Sequence, residues 1–338
     1  MEKKTVEVGF VDFWPGFDPA DNFIAAALSE RYEVVVSERP QILFFSCFGQ
    51  RFTGYDCVRV FYTPENLVPD FNVADYAIGF HYLDFGRRYL RYPIYHAYGY
   101  DGKLIDYKVF TGGGAAARKF CSFVYSNGEW ASPLRKQFFD LLSAYKRVDS
   151  GGRYMNNVGG PVEDKLAFQS EYKFCIAFEN SVGEGYTTEK LVEAMMSGSI
   201  PVYWGDPSVA EEFNPGSFIN VSDFGSLEEV VQEVVRLDND DEAYLEMLNR
   251  PWVRPCDGAY DAVLHSGERL SAFLGDIVEH PVKYVARDNF HCRYHESMYR
   301  NFLLSRELCD HRCPLSGFPL LDRLFGHYYR RLRRKLLY

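Results

Sequence analysis

The segment Tyr172-Lys-Phe-Cys-Ile-Ala-Phe-Glu-Asn-Ser-Val-Gly-Glu-Gly-Tyr-Thr-Thr-Glu-Lys-Leu191, continued by Ile200-Pro-Val-Tyr-Trp-Gly205, holds the densest chemistry of this 338-residue chain. Its pattern predicts a buried strand, a polar loop, a helix and a second strand. Glu179 and Asn180 fall at the carboxyl end of the first strand. Gly183 and Gly185 loosen the loop and allow a ligand close to the backbone. Thr187 or Thr188 is a natural N-cap, so Glu189 and Lys190 enter the helix's first turn. A cation at that end opposes the helix dipole. An anion bound there would repair the conflict, because free N–H groups and the Lys190 ammonium would both face it. A diphosphate fits this description, and Glu189 could accept hydrogen bonds from a ribose.

The elements around it must form a scaffold that presents such a loop. Strands are expected at Val6–Trp14, Ile42–Cys47, Val58–Thr63 and Tyr76–Phe80, with a helix over Asp18–Arg31 capped by Asp18 or Asp21. A looser stretch, Asp101–Arg118 with its Gly112-Gly-Gly-Ala-Ala-Ala run, reads as a connection between domains. A second series follows: strands at Phe120–Tyr125, Tyr172–Phe178, Ile200–Trp204 and Phe218–Val221, and helices at Pro133–Tyr145, Thr188–Met196, Leu227–Leu237 and Glu242–Leu248. Apolar runs without strict alternation, separated by helices, imply parallel sheets covered on both faces. Two such series imply two doubly wound α/β domains with ligands at the carboxyl ends of the strands.

The string Phe-Glu-Asn-Ser through Gly-Tyr-x-Thr-Glu-Lys-Leu to Ile-Pro-Val-Tyr-Trp-Gly resembles the donor-binding signature of the α1,3/4-fucosyltransferase family. The flanking pieces agree in order. Val60-Phe-Tyr-Thr-Pro-Glu-Asn-Leu-Val-Pro-Asp-Phe71, with Asp75-Tyr-Ala-Ile-Gly-Phe80, resembles the family's N-terminal-domain motif. Phe123-Val-Tyr-Ser-Asn127 and Val148-Asp-Ser-Gly-Gly-Arg153 resemble the donor-domain segments that precede the signature. The resemblance runs from about Val6 to His280 and looks closest to the bacterial members.

It implies a GT-B fold, two Rossmann-like domains facing a central cleft. Residues 1–116 would bind the acceptor, 117–315 the GDP-fucose donor, and 316–338 would form a basic amphipathic tail. It implies inverting transfer from GDP-β-L-fucose to an N-acetylglucosamine or glucose hydroxyl of an oligosaccharide acceptor such as N-acetyllactosamine. The product would be an α1,3 (or α1,4) fucoside of Lewis type, a unit of glycoprotein glycans or a lipopolysaccharide O-antigen. By resemblance Glu65 is the base that takes the acceptor proton, although Pro64 stands where bacterial relatives often have Gly. Lys190 and Arg153 would meet the diphosphate and its growing negative charge. Asn180, Tyr186 and Glu189 are carried over as donor contacts to fucose, phosphate and ribose, and Ser126 and Asn127 join them at the end of the first donor-domain strand. Two other readings stay open on the sequence: a glycosyltransferase of this fold using another nucleotide sugar, and a non-catalytic glycan or nucleotide binder.

Composition narrows the class. Hydrophobic residues make 47% and charged residues 25%, an ordinary globular balance that excludes disorder and collagen-like repeats. No apolar run reaches the ~18–20 residues of a membrane span. Met1–Val8 shows no apolar stretch of a secretory leader, so a cytoplasmic protein with reduced thiols is expected. The net charge is −10, yet Arg323, Arg330, Arg331, Arg333, Arg334 and Lys335 crowd the end. An acidic body of this kind does not suit nucleic acid. The tail could lie on the anionic inner face of the cytoplasmic membrane, or simply keep the chain soluble. Asp238-Asn-Asp240 has the form of a metal-binding DxD but links two helical stretches and reads as a cap. Mn2+ or Mg2+ is therefore at most stimulatory, with Lys190 and Arg153 supplying the charge. His291, Cys292, His295, Cys309, His311 and Cys313 could be drawn as a zinc site, although their spacing is not a standard pair of knuckles.

Overall fold

A computed structural model describes residues 3–105, 109–110, 113–126, 128, 131–253 and 258–299. Two compact units emerge from the contacts. Among the described residues, the first comprises those within 1–63, 69–78 and 274–299, and the second those within 64–68 and 79–273.

In the first unit the buried apolar runs become strands β1 (Thr5–Val11), β3 (Ile42–Phe45), β4 (Val58–Tyr62) and β5 (Tyr76–Gly79). A further strand, β2 (Glu33–Val36), is mostly exposed, and its apolar run is only three valines long. These strands are parallel, in the order β2-β1-β3-β4-β5. Helix α1 (Phe23–Ser29) starts later than expected. Its cap is Asn22, whose side chain accepts from Ile24 N and Ala25 N, while Asp18 closes a preceding turn on Ala20 N. The chain returns to this unit after residue 274. There Glu279 accepts from Lys4 and Tyr32, and Arg59 pairs with Glu296 at 2.7 Å.

The second unit opens with short elements: β6 (Tyr89–Arg91), α2 (Ile94–Ala97), α3 (Asp101–Ile105) and α4 (Gly113–Ala116). Single helical turns therefore stand where only a connection was expected. Then come β7 (Lys119–Phe123), α5 (Leu134–Tyr145), β8 (Val148–Ser150), α6 (Lys165–Gln169), β9 (Tyr172–Phe178), α7 (Glu189–Met196), β10 (Ile200–Trp204), β11 (Ile219–Asn220), α8 (Leu227–Asp238), α9 (Asp241–Leu248), α10 (Gly258–Leu264) and the first half of α11 (Ser266–Glu279), whose residues from 274 belong to the first unit. The sheet is parallel, in the order β11-β10-β9-β7-β8.

Every residue of β9 is buried, and its faces alternate. Phe174, Ile176 and Phe178 pack with Phe123, Phe138, Ile200, Val230 and Val234 on one side. Cys175 and Ala177 pack with Leu191, Val192, Met195 and Tyr203 on the other. Helices on both faces make this an α/β layer structure. From β7 the chain moves outward to β8, then crosses back to β9 on β7's other side. That reversal is the topological switch point, where open parallel sheets bind ligands at the carboxyl ends of their strands.

No helix among the described residues is long and apolar enough to cross a membrane. Asp240 caps α9 through Ala243 N, but Asp238 is a buried partner of Lys146 and Lys173, at 2.9 and 3.1 Å. The tail 316–338 lies outside the described residues, as do Asn127, Cys309, His311 and Cys313.

Candidate active site

The ladder between β7 and β9 registers Ser122 opposite Cys175. Further along, Tyr125 replaces it: its hydroxyl donates to Ile176 O at 2.8 Å and accepts from Phe178 N at 2.6 Å. A side chain thus bridges the two strand ends at the switch point. The Arg135 guanidinium lies 3.9 Å from the Tyr125 ring centroid and donates to Phe178 O and to Asn180 Oδ1, at 2.9 and 3.0 Å. With Oδ1 held by a cation, Asn180 keeps its Nδ2 as the donor for a ligand.

Glu179 is fully buried at the end of β9. Its carboxylate accepts from Thr188 N at 2.7 Å, Thr188 Oγ1 at 2.8 Å and Lys190 Nζ at 3.1 Å. Thr188 is the cap of α7, its hydroxyl accepting from Lys190 N. Lys190 Nζ also reaches Thr188 Oγ1 at 3.0 Å and Glu189 Oε1 at 3.4 Å. Burial pushes the Lys190 ammonium toward neutrality, but Glu179 and Glu189 outweigh it and hold the pKa above the ordinary lysine value. Burial raises Glu179 despite the lysine beside it. Glu189 sits lower than usual, since Lys190 and Lys165 offset its burial. The site therefore holds a protonated ammonium, braced by two carboxylates, at a helix N-terminus, where free N–H groups favour phosphate.

The loop between β9 and α7 is pinned rather than loose. Gly185, at φ +78°, donates its N–H to Asp206 Oδ1 and Ser208 Oγ, each at 2.9 Å. Thr187 Oγ1 donates to Asp206 Oδ2 at 2.9 Å. Arg91 holds Gly185 O at 3.2 Å and forms a two-pronged pair with Glu212, at 2.5 and 2.8 Å. Tyr186 is buried against Phe80, and its hydroxyl donates to Pro64 O at 3.5 Å, next to Glu65. Glu65 itself is half-buried on the segment that leaves β4.

Arg153 is exposed in the turn after β8, with no side-chain hydrogen bond or ion pair among the described residues. The turn itself is stitched down: Tyr154 N donates to Tyr125 O at 2.9 Å. A Cβ on Gly152 would lie 1.9 Å from that same carbonyl oxygen, so only glycine fits. Ser126, exposed at the end of β7, follows Tyr125 directly.

The second unit thus gathers Ser126, Asn180 and Glu189–Lys190 at the strand ends with Arg153 nearby, and ties Tyr186 to the Glu65 segment. Sequence reasoning missed Arg135, Tyr125 and Asp206 as the frame. Arg135 did carry a signal: like Lys190, it is a cation in a helix's first turn, where the dipole disfavours it.

Parallel sheets of doubly wound type, with helices packed on both faces, define an α/β structure of the GT-B class. Residues 8–98 match the alpha-(1,3)-fucosyltransferase FucT N-terminal domain model, and residues 115–255 match the glycosyltransferase family 10 (fucosyltransferase) C-terminal model. A Helicobacter pylori alpha-(1,3)-fucosyltransferase FucT is 36% identical over 306 residues, covering 79% of this chain. The chain spans 64% of the length of that relative. A solved alpha1,3-fucosyltransferase superposes with a TM-score of 0.74 at 32% identity, covering 84% of this chain and 92% of that one. The same type of structure with GDP-fucose gives 0.70 at 30% identity, covering 84% and 94%. The chain belongs to the family 10 fucosyltransferases.

Proposed function

We propose that this protein transfers L-fucose from GDP-β-L-fucose, with inversion, to a hydroxyl of N-acetylglucosamine or glucose in a glycan such as N-acetyllactosamine. The product is an α1,3 fucoside of Lewis type. The observation that carries the reading is the Glu179–Thr188–Lys190 assembly at the N-terminus of α7, inside the segment that matches the fucosyltransferase model.

In this reading the donor diphosphate docks at the start of α7. Lys190 shifts from Glu179 and Glu189 toward it and stabilises the charge that grows as GDP departs. Arg153 closes on the diphosphate from the β8 turn with a planar fork. Asn180 Nδ2 donates to the sugar or phosphate, Glu189 meets the ribose, and Ser126 lines the first strand's end; Asn127 is assigned to the donor from the sequence alone. Tyr186 borders the fucose while its hydroxyl steadies the Glu65 segment. The Glu65 carboxylate accepts the acceptor's hydroxyl proton. The acceptor oxygen bonds to fucose C1 as the C1–O bond to the β-phosphate breaks, its electron pair leaving with GDP. Acceptor binding is assigned to residues 1–116 and donor binding to 117–315. The tail 316–338 would rest on an anionic membrane face.

The test is a mass-spectrometric transfer assay with GDP-fucose and N-acetyllactosamine, with and without EDTA, beside Glu65→Gln. Gain of one deoxyhexose that survives EDTA and falls at least ~100-fold in the variant is expected. Transfer at the wild-type rate by Glu65→Gln contradicts the role of Glu65. GDP binding without any transfer favours the non-catalytic binder.

A further inference from the structure

We infer that Asn66 is a positioning residue that latches the catalytic carboxylate to the donor-binding loop; the inference rests on the proposed role of Glu65. Asn66 follows Glu65 directly, and its amide spans three partners. Nδ2 donates to Ser181 Oγ and to Val182 O, each at 2.9 Å. Oδ1 meets His81 Nε2 at 3.2 Å. A backbone carbonyl can only accept, so the atom facing Val182 O is the amide nitrogen and the orientation is fixed. His81 Nε2 must then carry the proton. Burial and the Arg91 charge hold His81 below its ordinary pKa, so its neutral form presents that one N–H. The His81 carbonyl is in turn fixed by Tyr89 Oη at 2.7 Å.

Gly183 seals the latch. A Cβ there would lie 2.5 Å from Asn66 Oδ1 and 2.7 Å from Nδ2. Its φ lies outside the left-handed region, so the need is for space and not for backbone freedom. With Tyr186 Oη on Pro64 O, the residues on both sides of Glu65 are tied to the 181–186 loop. That loop runs directly into Thr188 and Lys190. One hydrogen-bonded piece thus carries both the Glu65 segment and the donor loop, and in the proposed reaction a displacement of about 1 Å between carboxylate and sugar carbon would lower the rate roughly 100-fold.

The experiment is steady-state kinetics and GDP titration on Asn66→Ala, Gly183→Ala and the double variant. Asn66→Ala should lower kcat by about 10- to 100-fold while GDP affinity stays within about twofold. Gly183→Ala, which pushes on an intact amide, should lower kcat by about tenfold on its own and have no further effect in the Asn66→Ala background, because the clashing atoms are gone. Wild-type kcat in Asn66→Ala, losses that multiply in the double variant, or a loss confined to GDP affinity would each overturn the latch. If Glu65→Gln is inactive while Asn66→Ala is fully active, only this inference fails. If Glu65→Gln retains full activity, the functional reading fails with it.

Discussion

Lys190 and Arg153 are the two cations assigned to the same diphosphate, and the protein holds them in opposite ways. Lys190 is partly buried, its side chain 15% exposed, and is held by Glu179, Thr188 and Glu189 at 3.0–3.4 Å. Arg153 projects into solvent from a turn whose backbone alone is fastened. A charge already held at the site by its neighbours needs only a short shift to meet the diphosphate, whereas an exposed guanidinium is screened and must be ordered first. The catalytic weight should therefore fall on Lys190, with Arg153 contributing mainly to capture of the donor.

Lys190→Met should have the largest effect, lowering kcat/KM for GDP-fucose by about 100- to 1,000-fold, or roughly 3–4 kcal/mol. Steady-state kinetics at saturating acceptor measures it. Next comes the frame behind the Lys190 loop. Glu212→Gln leaves Arg91 buried and half-paired, and should lower stability in urea by about 3 kcal/mol. Arg91 holds Glu212 below the usual carboxylate range despite its burial. The pair's stabilisation is thus complete above the ordinary glutamate pKa and fades as pH falls through the depressed one. Urea midpoints followed downward from about pH 5 should drop less in Glu212→Gln than in wild type. The smallest effect is expected from Arg153→Met, about tenfold in kcat/KM, or ~1.4 kcal/mol, carried by KM. Equal losses from the lysine and arginine variants, both in kcat, would break the comparison.

The local structure around Lys190 was legible because its determinants are close in sequence. A fully buried run, a Thr cap and a cation in the next turn lie within about twenty residues, and each signal has a single physical meaning. The frame was not legible for the opposite reason. Asn66 meets Ser181 across 115 residues, and Arg91 meets Glu212 across 121. No local pattern encodes such pairings. Strands β2, β6 and β8 were missed because three or four residues, half exposed or at a sheet edge, give no periodic signal. The glycines of the β9–α7 loop were read as freedom. In the fold Gly183 gives room to the Asn66 amide, and Gly185 serves a pinned turn. Glycine in a sequence marks a permitted approach or conformation; only the neighbours tell which.

The central claim is that the fixed ammonium at the start of α7 receives the donor's diphosphate while Glu65 acts elsewhere on the reacting centre. Calorimetric titration of GDP into wild type, Lys190→Met and Glu65→Gln tests it most directly. The account predicts saturable binding in wild type, wild-type affinity in Glu65→Gln, and at least about 100-fold weaker binding in a folded Lys190→Met. GDP affinity unchanged by loss of the ammonium would contradict it.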